Sequence, residues 1–233
     1  MKKIKLIFIS FFCLLFVCNT TCAQKRNKNF SGEITYSITF DKLSEEVKAF
    51  SAILPTTQTM LVKDSTTLLQ ISVMGQTFKI INTKGNDTSI LLLELSGMVI
   101  AIEVHSKEAE DIAKIFNLSN PFSFKDSSFS IEKNMEIKNI SGYTCEGYNI
   151  YTLKDGEKQL YANTFYCPEF LPWSSEYGCL FYSRSVGNNE TPALTMEITK
   201  ITSKKLTGDM FSIPANAIRM SIQDLLDTFG ETE

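Results

Sequence analysis

The stretch from Ile140 to Phe170, ISGYTCEGYNIYTLKDGEKQLYANTFYCPEF, constrains the fold of this chain most. Two long strand-like runs meet at Asp155-Gly156. That dipeptide predicts a β-hairpin, because both central residues of the favoured tight turn take positive φ. Tyr148, Ile150, Tyr151 and Leu153 lie on one arm, and Leu160, Tyr161, Phe165 and Tyr166 on the other. Aromatic and β-branched side chains suit a pleated, half-buried surface. Both arms carry apolar residues on both faces, and a bulge at Gly147 would account for the change of face.

The remainder of the chain repeats the strand pattern. In Phe30 to Phe40, Ile34, Tyr36, Ile38 and Phe40 alternate with Thr35, Ser37 and Thr39, which predicts a strand with one buried face. Further strands are expected at roughly 59–63, 67–74, 77–82, 88–94 and 98–105, with turns at Asp64-Ser65, Gly75-Gln76, Gly85-Asn86 and Ser96-Gly97. Connections this short imply antiparallel neighbours, since parallel strands need long crossovers. Strands are also expected at Phe129–Ile137 and Ala193–Thr202, and Phe211 and Ile213 are expected to dock on the core.

Three helices are expected to cover this sheet. Leu43, Val47, Phe50 and Leu54 predict one over 42–54, ending at Pro55. Ala109, Ile112, Ala113 and Phe116 predict a second over 106–116, with Ser106 as its N-cap. Ile218, Ile222, Leu225, Leu226 and Phe229 predict a third over 218–229. The fold class is therefore mainly β (α+β), an antiparallel meander with covering helices. A chain of 233 residues accommodates it as one domain from residue 30 to 233.

The N-terminus reads as a secretory leader. Lys2, Lys3 and Lys5 precede an apolar run from Leu6 to Val17, and Thr21 and Ala23 are the small residues ahead of a cleavage site after Ala23. The run is shorter than the roughly 20 apolar residues a bilayer span takes. Neither Cys18 nor Cys22 has the preceding residues of a lipid-modified cysteine. The expectation is a periplasmic or secreted protein, not an integral membrane one, that begins at Gln24 with a disordered tail over 24–29. Without the leader, Lys and Arg fall from 23 to 20 against 26 acids, and the net charge moves from −3 to −6. That balance argues against nucleic acid as a partner.

Of six cysteines, three fall in the leader, leaving Cys145, Cys167 and Cys179. A turn centred on Asp155-Gly156 sets Cys145 opposite Tyr166, so a Cys145–Cys167 bridge needs a bulge or a register change. A Cys167–Cys179 bridge, or three buried thiols, are the alternatives.

No constellation for catalysis or metal binding is legible. His105 is the single histidine, and no CxxC, HxxxH or GxSxG occurs. It reads as a strand-end surface residue. The acid pairs, among them Glu45-Glu46 and Asp224/Asp227, fall on expected helix surfaces, where a solvated face accounts for them. No Gly-rich phosphate loop is present, and no cofactor is expected. The segment Pro168, Phe170, Leu171, Pro172, Trp173 is the strongest functional candidate, because so much apolar area does not stay solvated. It is expected to plug the core or to form a lid over an apolar pocket, with Tyr148, Ile150, Phe165, Phe170 and Trp173 as ligand-binding residues.

Three motifs carry a resemblance. They are Gly-Glu-Ile-Thr-Tyr at 32–36 behind a leader ending Ala-Gln, Ile-Ser-Gly-Tyr-Thr-Cys-Glu-Gly-Tyr at 140–148, and Leu-Thr-Gly-Asp-Met-Phe-Ser-Ile-Pro at 206–214. Together they resemble domain-of-unknown-function family 4412 and the neighbouring GLPGLI family, exported proteins of Gram-negative bacteria. The GLPGLI string itself is absent, and Gly178-Cys-Leu-Phe-Tyr stands near its place. These families look like relatives of the LolA/LolB superfamily, which implies a LolA-like curved antiparallel sheet or half-barrel whose open concave side is covered by helices and loops. Fold analogy alone does not transfer a function. The expected function is non-enzymatic binding of an apolar ligand, a lipid or acyl chain. The alternative is a cell-envelope interaction or structural module with a filled interior, partnered by an envelope protein. A hydrolase comes third.

Overall fold

The computed structural model describes residues 30–41, 43, 48, 51, 54–105, 129–154, 157–168, 177–186 and 193–224. The expected leader, the 24–29 tail, the 106–116 helix, most of 42–54, residues 225–229 of the expected 218–229 helix and the Asp155-Gly156 turn lie outside the described residues.

The strands are β1 (Gly32–Asp41), β2 (Thr57–Lys63), β3 (Thr66–Val73), β4 (Gln76–Thr83), β5 (Thr88–Leu95), β6 (Met98–His105), β7 (Phe129–Ile140), β8 (Tyr143–Lys154), β9 (Glu157–Cys167), β10 (Cys179–Ser185), β11 (Ala193–Ser203) and β12 (Ile218–Met220). They form one open, curved sheet in the order β12-β6-β5-β4-β3-β2-β1-β11-β10-β9-β8-β7. The sheet is two meanders, β1–β6 and β7–β11, joined where β1 pairs antiparallel with β11 from Gly32↔Ser203 to Asp41↔Ala193. Alternating burial along β1 places Ile34, Tyr36 and Ile38 inward.

The tight turns follow backbone chemistry. Met74-Gly75, Ser96-Gly97 and Ser141-Gly142 each carry two consecutive positive φ angles, the combination whose twist matches a two-residue hairpin. The third to fourth strand turn therefore sits one residue earlier than the expected Gly75-Gln76, with Val73 pairing Gln76.

The core has two parts. The larger apolar cluster draws on eleven strands, from Val104 and Ile102 on β6 through Ile34 and Tyr36 on β1 to Ile140 on β7. On the other face of β2–β6, Leu61, Leu68, Ile81, Leu92 and Ala101 are covered by Leu206, Phe211, Ile213 and Ala217 from the segment after β11. The docking expected of Phe211 and Ile213 is thus found, on that second face.

Two expectations are corrected. Residues 218–220 do not begin a helix: they form β12, parallel to β6 through Ile218↔Ile100 and Met220↔Ile102. A sheet edge offers unpaired N–H and C=O groups, and satisfying them outweighs a helical apolar spacing. A helical turn follows at 222–224, begun by Ser221 and Asp224, whose side chains each bond the other's main-chain N–H at 3.1 and 2.8 Å. The face change of the hairpin does not arise from a bulge at Gly147. The irregularities are in β9, where Tyr161 is extra between Ile150↔Ala162 and Tyr151↔Leu160, and in β7 between Lys133 and Ile137. Consequently Glu146, not Cys145, pairs with Tyr166.

Candidate functional site

Directly paired residues in an antiparallel sheet share a face. Tyr148 pairs with Thr164 and Ile150 with Ala162, so both lie on the face that carries Tyr166. Phe165 pairs with Gly147 and lies on the opposite face. The register thus brings Tyr148 and Ile150 together and separates them from Phe165. All three are buried, at 8, 7 and 2 % exposure. Phe170 and Trp173 lie outside the described residues.

Tyr148 is the centre of an aromatic cluster. Its ring meets Tyr166 edge-on at 5.6 Å and Tyr177 at 5.0 Å, and Tyr166 and Tyr177 are 5.7 Å apart. Such edge-to-face pairs add about 0.5–1.5 kcal/mol each beyond area burial. Tyr177, nine positions after Pro168 in the sequence, thus packs on Tyr148. Neighbouring sequence offered no signal for that contact, because Tyr177 lies outside the hairpin pattern.

The rim of the cluster is polar. The Tyr148 hydroxyl donates to Glu146 Oε2 at 3.1 Å, and Lys133 Nζ lies 2.7 Å from the same oxygen. Hydrogen bonding from Lys133 holds the Glu146 carboxyl below its usual range, and the Tyr148 hydroxyl adds to that. The arrangement is an aromatic face with one ion pair at its margin, suited to an apolar body with a polar end.

On the opposite face Phe165 packs against Tyr182 at 5.9 Å, and Lys138 Nζ lies 4.2 Å above its ring centroid. Gly147 is buried there beneath Asn134. Phe165 therefore backs the hairpin.

A shallow groove of ≈520 Å³ is lined by Phe30, Ser31, Ser203, Lys204 and Lys205, where β1 begins and β11 ends. It includes none of the expected ligand-binding residues. His105 stands exposed at the end of β6, as expected, with Nδ1 2.9 Å from Thr88 Oγ1. Among the described residues, no group of three His, Cys, Asp or Glu is placed to hold a metal ion, and no helix is long and apolar enough to cross a membrane.

No family model matches this chain, and no curated protein matches it. Among solved structures it is similar to LprF from Mycobacterium bovis, at 12 % identity over 80 % of this chain and 90 % of that one, TM-score 0.33. It is also similar to a LolA superfamily protein from Nitrosomonas europaea, at 10 % identity over 81 % and 92 %, TM-score 0.32. A DUF1329 family protein from Desulfovibrio piger is similar at 10 % identity over 79 % and 90 %, TM-score 0.33.

Proposed function

We propose that this chain is an exported, non-enzymatic binding protein of the Gram-negative periplasm, akin to family 4412, that takes an apolar ligand such as an acyl chain. The carrying observation is the extent of its apolar core: one cluster draws on eleven of the twelve strands of an open, curved sheet. Barrels of about eight strands are filled by side chains or hold one small ligand, and larger ones enclose ligand cavities. Tyr148 and Ile150 line the ligand, with Phe170 and Trp173 laid over it by the segment between Pro168 and Tyr177. Phe165 supports the hairpin from behind, and the Lys133–Glu146 pair at the rim meets the ligand's polar end.

A second reading, an envelope interaction module with a filled interior, is favoured by one observation. Tyr148 and Ile150 are each less than a tenth exposed, and Tyr166 and Tyr177 already pack on Tyr148.

Trp173 is the only tryptophan, so its emission reports on the proposed lid alone. Delipidated protein titrated with a long-chain fatty acid is expected to give a saturable blue shift, and native mass spectrometry a one-to-one adduct. Tyr148→Ala is expected to weaken both. An unchanged emission with a clean unliganded mass supports the filled module. Hydrolysis of an ester by the same preparation overturns both readings.

A further inference from the structure

The three cysteines of the described sheet fall in one row. Cys179 on β10 pairs directly with Cys167 on β9. On the other side of β9, Glu146 pairs with Tyr166, and one step further along this register sets Cys145 of β8 against Cys167. The extra residue Tyr161 creates this alignment. Without it Cys145 faces Tyr166, and the two sulfurs project from opposite faces. Opposed residues of an antiparallel pair have Cα atoms about 4.5–5.5 Å apart, inside the range of about 4.4–6.8 Å that a disulfide spans. Cys145 Sγ donates to the Tyr143 carbonyl at 3.6 Å, and the Cys167 thiol is close enough to act on it electrostatically. Cys179 Sγ lies 3.8 Å from the Leu180 carbonyl and 4.0 Å from the Tyr36 hydroxyl. None of the three is in a disulfide, and all are buried.

We propose that Cys145 and Cys167 form a cross-strand disulfide that closes the open end of the β8–β9 hairpin, made by exchange with a disulfide oxidant while the hairpin folds, with Cys179 left as a thiol. The chemistry balances by two exchanges. One cysteine thiolate attacks a sulfur of the oxidant, forming a mixed disulfide and expelling one oxidant thiolate, which takes up the proton the cysteine gave up. The second cysteine attacks the mixed disulfide, forming the Cys145–Cys167 bond and expelling the second oxidant thiol. Two cysteine thiols are oxidised and one oxidant disulfide is reduced to two thiols.

Burial dictates the timing. Both sulfurs have 0 % exposed residues in the finished sheet. Burial first, then the neighbouring Cys167, pushes the Cys145 thiol up to about 12. The thiolate is the nucleophile, so burial leaves the folded protein with little of the reactive form at pH 7. In the unfolded chain an ordinary thiol near 8.5 reacts readily. The bond therefore forms before the strands cover the sulfurs, and a protein folded in reductant stays reduced. This inference concerns the sulfur row and is independent of the ligand reading.

The test refolds the denatured, reduced chain in a mixture of reduced and oxidised glutathione, and separately adds that mixture to protein already folded in reductant. Non-reducing peptide mapping is expected to show Cys145 linked to Cys167 in the refolded sample, with Cys179 alkylated after denaturation. The prefolded sample is expected to oxidise at least about 100-fold more slowly. The oxidised protein should melt roughly 6–12 °C higher than the reduced one. Cys179→Ala keeps that increment and Cys145→Ala removes it. Three alkylated thiols after oxidative refolding, a Cys167–Cys179 link, or equal oxidation of the prefolded protein each overturn the proposal. The wild-type peptide map decides even if Cys145→Ala does not fold.

Discussion

The Tyr36 hydroxyl on β1 donates to the main-chain carbonyl of Leu180 on β10, 3.2 Å away, across the position of β11 between them. The reason lies in the seam between the two meanders. β10 and β11 are in register only over Tyr182↔Glu197, Ser183↔Met196 and Arg184↔Thr195, and β10 also slips against β9 between Leu180 and Tyr182. Leu180 lies beyond the β10–β11 pairs, inside the core, and its carbonyl accepts from the phenol and, more weakly, from the Cys179 thiol at 3.8 Å. Removing one partner of a buried hydrogen bond costs about 1–3 kcal/mol. Tyr36→Phe is therefore expected to lower the unfolding free energy by that amount, read as a lower urea midpoint with an unchanged slope. A neutral Tyr36→Phe would show that the seam does not depend on this bond.

Gly147 is needed because a Cβ there would lie 2.2 Å from Asn134 Oδ1. Asn134 cannot yield freely: its Oδ1 accepts from the Glu136 main-chain N–H at 2.9 Å, and its Nδ2 donates to Asn149 Oδ1 at 3.0 Å. Gly147→Ala is expected to destabilise by about 1–3 kcal/mol, the usual cost of overpacking. Adding Asn134→Ala should recover part of it, so the double variant is less unstable than the sum of the single ones. Chemical denaturation of the four proteins checks this.

The Lys133–Glu146 pair gives stability a modest acid dependence. The Glu146 carboxyl is held below its unfolded value, chiefly by Lys133, so its contribution is present above the unfolded value near 4.3. It is lost as pH falls through the depressed folded value. Both side chains are partly exposed, at 31 % and 56 %, and solvent screening keeps the gain under about 1 kcal/mol. Lys133→Met is expected to be less stable than wild type at pH 7, with the difference fading below about pH 4. Denaturant midpoints from pH 3 to 7 measure it, and a difference that persists at pH 3 contradicts the assignment.

Met74 occupies a left-handed position, φ 53°, with its side chain 69 % exposed. It is ahead of Gly75 in a two-residue turn where Asn-Gly is the preferred pair. Met74→Asn is expected to raise stability by about 0.5–1 kcal/mol, because asparagine tolerates that backbone and little packing is lost. Met74→Val should lower stability, since a β-branched residue resists positive φ. Thermal melts of the two variants, moving in opposite directions, are the check.

The hairpin arms, the β1 alternation and the meander from β2 to β6 were legible because each depends on local period and turn chemistry. Expected strands at 88–94 and 98–105 match β5 and β6 closely for that reason. The tyrosine cluster was only half legible. Tyr148 and Tyr166 follow from the hairpin, but Tyr177 joins them from outside its pairing, where the sequence carries no register information. Phe165 looked equivalent to Tyr148 on aromatic content, and only the pairing partner, Gly147 or Thr164, assigns each to its face.

By itself, then, the order of residues determined that this chain pleats into short antiparallel strands, since side-chain alternation and left-handed turn residues act within a few positions of themselves. The tertiary structure decided the rest. The union of β1 with β11, the β12 strand on the β6 edge and the single extra residue at Tyr161 all arise from pairing between distant segments. A sheet satisfies its main-chain groups by whatever neighbour reaches them, and one inserted residue moves every later side chain to the other face. That shift is what sets Cys145 beside Cys167.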